Sequence, residues 1–243
     1  MNYSYKNNLV IYVRHAESEA NRLIHNREDQ LKPLSKSQEA IMTSLHTDPN
    51  ITLNGTHQAV STANYLLDRI RMMGRTNVTV WISPFQRTLQ TAKPFIDLCA
   101  NHHHIDCEVC ILPELQEYTT DKYTLSDKQK QSGLIVHESV NHFLDKVVEF
   151  SNILKNQLKT QESNNVLIVF GHSLFISSLM AYHVTHETFL NDLSGFHLPN
   201  CSISCEMYQF EKNRWHTFIV GSIAHIPEKF ITGNHVPIGY LHN

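Results

Sequence analysis

Leu9-Val10-Ile11-Tyr12-Val13-Arg14-His15-Ala16-Glu17-Ser18-Glu19-Ala20-Asn21 begins with five apolar, β-prone residues and passes at once to Arg14 and His15. A continuous apolar run of this length fits a strand buried on both faces, as in a parallel sheet. Val78-Thr79-Val80-Trp81-Ile82 and Val166-Leu167-Ile168-Val169-Phe170 have the same form. Helical patterns lie between them. From Thr56 to Arg71 the residues Ala59, Ala63, Leu66, Leu67 and Ile70 mark one face, and from Phe143 to Leu154 the residues Leu144, Val147, Val148, Ile153 and Leu154 do the same. Strands alternating with helices predict an α/β fold with helices on both sides of the sheet.

At 243 residues the chain suits one such domain with insertions. Three polar segments break the pattern: Arg22 to Asn50, Thr119 to Gly133, and the tail from Ile226. The first two are expected to form a lid or cap, or plain surface loops. With 41% hydrophobic and 18% charged residues and a net charge of −3, the chain reads as an ordinary cytoplasmic globular protein, and nucleic-acid or membrane surfaces are disfavoured as partners. An anionic ligand must then be drawn in by a local positive site. No run is long enough for a membrane helix or a secretory leader. Five cysteines without framework spacing point to free thiols.

The residues just beyond each buried run carry the chemistry. Val13 is followed by Arg14 and His15, Ile82 by Ser83-Pro84-Phe85-Gln86-Arg87, and Phe170 by Gly171-His172-Ser173. In open parallel sheets ligands bind beyond the carboxyl ends of the strands. Any one of these cations read singly is more simply a packed histidine or a surface ion-pair partner. Together they repel one another unless an anion holds them, and phosphate is the anion that arginine pairs match. Phosphoryl transfer also needs a neutral nucleophile, which a histidine becomes when one ring nitrogen is held by a carbonyl.

These residues resemble the histidine phosphatase superfamily, in its phosphoglycerate mutase-like branch. Arg14 to Asn21 is similar to that family's R-H-G/A-x-T/S-x-x-N signature, and Ile51 to Ala59 to its L-T-x-x-G-x-x-Q-A segment. Ser83 to Ala92 is similar to S-P-x-x-R-x-x-Q-T-A, Gly171-His172-Ser173 to the second-histidine motif, and Leu198 to Ile203 to P-N-x-S-I. The resemblance implies a three-layer α/β/α sandwich with a mostly parallel central sheet. It also implies that His15 takes the phosphoryl group and that Arg14, Asn21, Arg87 and His172 contact it, with no metal or cofactor. The proton donor is expected at Glu117, in Leu115-Gln116-Glu117, with Glu114 as the alternative.

The resemblance implies a phosphatase hydrolysing phosphate monoesters, its substrate a phosphorylated small molecule or a phosphoprotein, and a homodimer stays open. Ser173 after His172 departs from the acid-phosphatase branch, which has aspartate there. A phosphoglycerate mutase or bisphosphate phosphatase is the second reading, and a catalytically silent module that binds phosphorylated ligands is the third. Cys107 and Cys110, three apart in an expected strand, point to opposite faces and make a poor metal pair. His102-His103-His104 lacks the spacing of a ligand set.

Overall fold

The first strand, β1 (Leu9–Arg14), lies between two neighbours and is buried on both sides along Val10 to Val13. The computed structural model describes residues 9–28, 48–102, 104–118, 139–161, 165–187 and 197–232. Most of the first polar segment, the whole Thr119 to Gly133 segment, His103 and the end of the tail lie outside these residues. The start of the first segment is not irregular: helix α1 (Glu19–Glu28) runs through Arg22 and continues the turn that follows His15.

The other elements are α2 (Leu53–Met72), β2 (Asn77–Ile82), α3 (Gln86–Ala100), β3 (Asp106–Ile111), α4 (Val140–Thr160), β4 (Asn165–Gly171), α5 (Ser173–Thr185), β5 (Ile203–Gln209) and β6 (Arg214–Ser222). The strands form one sheet in the order β3-β2-β4-β1-β5-β6. β3, β2, β4 and β1 are mutually parallel, and β5 runs against both β1 and β6. The mixed, mostly parallel α/β sheet expected from the alternation is present.

Side chains alternate across each strand, so each strand feeds two cores. Val10, Tyr12, Trp81, Leu167 and Val169 pack with α4 and α5. Ile11, Val13, Val78, Val80, Ile82, Val166, Ile168 and Phe170 pack with α2 and α3. The α2 face holds Ala59, Ala63, Leu66, Leu67 and Ile70, as its periodicity requires. The α4 face buries Leu144, Val147 and Leu154 as expected and differs in the rest. Its buried stripe centres on Phe143, Val147, Phe150, Leu154 and Leu158, which leaves Val148 and Ile153 at the margins, because the two large rings claim the space over Trp81 and Phe175. Cys107 and Cys110 do fall on opposite faces of β3, and all five cysteines are free.

A buried polar chain ties the α4–α5 layer to β5. His183 Nδ1 lies 2.7 Å from Glu206 Oε2 and its Nε2 lies 3.0 Å from Ser151 Oγ. Thr217 Oγ1 donates to the other carboxylate oxygen at 2.7 Å. Glu206 is fully buried, and these donors are what make a carboxylate tolerable there.

Gly55 marks where α2 meets the segment after β1. A Cβ there would lie 2.3 Å from the Glu17 carbonyl oxygen, so backbone would have to move. Gly55→Ala is expected to cost about 1–3 kcal/mol, in the range of overpacked cores, and to displace the loop carrying His15. Thermal unfolding of the variant tests this, and a stability equal to that of the parent would refute the contact.

Candidate active site

β4 lies between β1 and β2, and its last two carbonyls join the three strand exits. The Phe170 carbonyl accepts from Ser83 N–H at 3.0 Å, and the Gly171 carbonyl accepts from His15 N–H at 2.9 Å. His15, the Ser83 turn leading to Arg87, and His172 therefore leave the sheet side by side. The His15 and His172 ring centroids are 5.3 Å apart.

His15 is 6% exposed. Its Nδ1 lies 2.8 Å from the Ala16 carbonyl, which can only accept, so Nδ1 carries the proton and Nε2 keeps its lone pair. Burial, reinforced by Arg87 and Arg14, holds its pKa well below the usual imidazole value. The backbone around it is bolted in place. The His15 carbonyl accepts from Cys201 N–H and from Asn200 Nδ2, both at 3.2 Å. The Ala16 N–H donates to Thr91 Oγ1 at 2.9 Å, and the Glu17 N–H to Gln58 Oε1 at 2.8 Å. Thr52 caps α2 through Gly55 N–H and donates its own hydroxyl to Glu17 at 2.5 Å. Gln90 accepts from Ile51 N–H at 2.8 Å. Thr52, Gly55, Gln58, Gln90, Thr91 and Asn200 thus form the frame of the His15 loop.

The arginines approach from two sides. Arg14 Nη1 donates to the Leu198 carbonyl, and its Nε–H is buried without a hydrogen-bond partner among the described residues. Burial pushes its pKa down to about 10, still charged at neutral pH. The Arg87 guanidinium stacks 4.4 Å from the Phe85 centroid. Its Nη2 donates to His172 Nδ1 at 3.2 Å, and its Nη1 lies 3.9 Å from Asp48 Oδ1. Asp48 also accepts from Gln86 N–H at 2.7 Å, at the start of α3.

His172 is fully buried, and its Nε2 meets Ser83 Oγ at 2.7 Å. Burial, then Arg87, His15, Arg14 and Lys146, hold its pKa well below the usual value. Asn21 turns its carbonyl oxygen toward Ser18 and Asn200.

Arg14, His15, Asn21, Arg87 and Glu117 line one cavity of about 220 Å³, together with Ser18, Pro49, Leu174 and His197. His172 stands behind it, against His15 and Arg87. Glu117 is half-buried, accepting from Tyr118 N–H at 3.0 Å and from Leu174 N–H at 3.2 Å. Burial raises its pKa, against the lowering effects of those N–H groups, Arg87 and Lys146. Glu114 goes elsewhere, into a separate cavity with His142, Asp145 and Glu149. Asp48 was the residue least visible in the sequence, hidden at the end of a polar stretch; its one signal was the Asp48-Pro49 turn. Among the described residues, no cluster of three or more His, Cys, Asp or Glu side chains could hold a metal ion, and no helix is long and apolar enough to cross a membrane.

The depressed imidazoles fix how stability responds to pH. For His15, His172, His183 and His225, the last lowered to about 4, the unfolded chain takes up protons first as the pH falls below about 6.5. Their contribution is complete above that value and is lost toward lower pH; Glu117, raised, acts in the opposite sense. Tm is therefore expected to fall between pH 7.5 and 5, and an unchanged Tm over that range would contradict the buried neutral state.

The family model for the histidine phosphatase superfamily (branch 1) matches residues 10–220. No curated protein matches the sequence. The alpha-ribazole phosphatase from Shigella flexneri is similar in structure, with 18% identity and a TM-score of 0.57 over 88% of this chain and 96% of that one. The mycobacterial glucosyl-3-phosphoglycerate phosphatase Rv2419c in complex with inorganic phosphate is 13% identical, with a TM-score of 0.59 over 90% and 99%. The Rv3214 protein from Mycobacterium tuberculosis is 19% identical, with a TM-score of 0.55 over 88% and 96%. At such identities the likeness is one of fold.

Proposed function

Because the chain belongs to the histidine phosphatase superfamily (branch 1), we propose that it hydrolyses phosphate monoesters through a phosphohistidine formed on His15. The observation that carries this is the His15 Nδ1–H held by the Ala16 carbonyl, which leaves Nε2 as a free base in a cavity shared with two arginines and a carboxyl group. The family's phosphatases of similar fold support hydrolysis over isomerisation.

In the first step Nε2 attacks phosphorus and the P–O bond to the leaving group breaks. Its electron pair stays on that oxygen, which takes the proton of Glu117. Arg14, through its unpartnered Nε–H, and Arg87 bind the phosphoryl oxygens, with Asn21 Nδ2 beside them. When an oxygen draws Arg87 away from His172 Nδ1, the Ser83 hydroxyl can donate to Nε2. His172 then offers Nδ1–H to the phosphoryl group. In the second step the Glu117 carboxylate takes a proton from water as water attacks phosphorus, and the N–P bond electrons return to His15. The guanidinium and imidazole groups supply the charge neutralisation, so the reaction is proposed to need no metal.

Incubation with labelled substrate, denaturing quench and chemical stability of the bound label test this reading. A phosphoryl group on the protein that is acid-labile and alkali-stable, formed in excess chelator, is the expected result. Hydrolysis that proceeds with no such adduct would sink it.

A further inference from the structure

The turn from Pro199 to Ser202 lies against the backbone of the His15 loop and reaches α1 through one side chain. Ser202 N–H donates to the Pro199 carbonyl at 3.1 Å, and Cys201 takes the left-handed conformation, with φ 54°. That conformation is uncommon for a residue with a Cβ. Two backbone bonds hold the turn on the end of β1: Arg14 N–H donates to the Ser202 carbonyl at 3.1 Å, and Cys201 N–H to the His15 carbonyl at 3.2 Å. Asn200, inside the turn, is 1% exposed. Its Nδ2 lies 3.2 Å from the His15 carbonyl oxygen and 3.1 Å from Asn21 Oδ1. Its own Oδ1 is buried without a hydrogen-bond partner among the described residues. An unpaired buried acceptor is unfavourable, and an apolar side chain would fill the space without it. What Asn200 supplies is its donor.

That donor has a defined recipient. A backbone N–H can only donate, so the atom of Asn21 that meets Ser18 N–H at 3.2 Å is the amide oxygen. Ser18 Oγ donates to the same oxygen at 3.1 Å and accepts from Asn21 N–H at 3.3 Å, the reciprocal pattern of a capping box at the start of α1. With its oxygen turned to Ser18 and Asn200, Asn21 has its amide nitrogen left for the cavity that it lines with Arg14 and His15. The Ser18 bonds lie within the first turn of α1 and fix Asn21 relative to that helix. The Asn200 nitrogen also holds the His15 carbonyl, so its bond ties the Asn21 amide to the nucleophile's own backbone.

We propose that Asn200 is a positioning residue for phosphate binding: by holding the Asn21 oxygen and the His15 carbonyl with one amide nitrogen, it aims Asn21 Nδ2 at a phosphoryl oxygen beside His15. This role rests on the cavity being the phosphoryl site. Inorganic phosphate is the probe, because it can occupy that site without reaction. Its Kd is measured by titration calorimetry for the parent, Asn21→Ala, Asn200→Ala and the double variant, beside its Ki against 4-nitrophenyl phosphate. Each single variant is expected to weaken phosphate by roughly tenfold, as for a hydrogen bond to a charged group. The double variant is expected to fall short of the product of the two losses by roughly fivefold or more. A residue that merely held the turn together would act equally with and without the Asn21 amide. Asn200→Asp keeps the shape and presents acceptors alone, so it should draw Asn21 Nδ2 toward itself and weaken phosphate at least as far as Asn200→Ala.

Losses that multiply, or a Kd in Asn200→Ala within about twofold of the parent value, overturn the proposal. If Asn200→Ala loses its near-ultraviolet circular dichroism, Asn200→Ser is read in the same way, and failure of both to fold also overturns it. The phosphohistidine assay separates this role from the reaction. Coupling in phosphate binding without a phosphoryl adduct removes the proposed reaction and leaves the role of Asn200 standing. An adduct on His15 without the coupling does the reverse.

Discussion

His15→Ala is expected to lower kcat/KM on a phosphomonoester by on the order of 10⁴-fold or more and to abolish covalent labelling of the protein. The loss is assigned to chemistry and not to folding, because the structural bonds of His15 are made by its backbone. Its N–H to Gly171, and its carbonyl with Cys201 and Asn200, survive the substitution. Arg14 and Arg87 have no lone pair to offer, and the Ser18 hydroxyl is already engaged with Asn21. Circular dichroism and steady-state hydrolysis of 4-nitrophenyl phosphate measure both halves of this expectation. A folded variant that retains a tenth of the parent rate would remove His15 from the mechanism.

Glu117→Gln is expected to separate substrates by their leaving groups. An alkoxide needs a proton as it departs, so alkyl phosphates should slow by about 10²–10⁴-fold, the usual contribution of a positioned acid. A nitrophenolate departs without one and should slow far less in the first step. Glutamine can still accept from Tyr118 N–H and keeps the shape, so the contrast reports the proton and not the packing. The descending limb of the kcat/KM pH profile, which a protonated acid produces, should vanish in the same variant. Equal slowing of both substrates would contradict the acid role. Glu114 is an internal control: it lies in the separate cavity, and Glu114→Gln should leave the leaving-group dependence intact.

The linear order of residues revealed the sheet and the line of the site for the same physical reason. A strand buried on both faces must be apolar throughout, so Val10 to Val13, Val78 to Ile82 and Val166 to Phe170 stand out in any window, and the first cation after each run marks the side of the sheet where the strands end. That is how Arg14, His15, Arg87 and His172 could be named together before any distance was known. The α4 face was read less well, because apolarity alone does not say which of several large side chains wins the space beneath the sheet. Phe143 and Phe150 won it over Val148 and Ile153.

Other properties depend on contacts between residues far apart in the chain. Glu117 and Glu114 are three residues apart and chemically alike, and only the turn Pro113–Leu115, packed against α4, sends one to the Arg14–His15 cavity and the other away from it. The tautomer of His15 follows from the Ala16 carbonyl, and the seat of Arg87 from Asp48 and Phe85. By itself the sequence determined the α/β architecture, the exits of the strands and the cationic residues placed there, since these follow from apolar patterning along the chain. Tertiary structure alone decided which carboxyl group lines the His15 cavity and which imidazole nitrogen of His15 carries the proton, because hydrogen bonding and desolvation are properties of the folded neighbourhood.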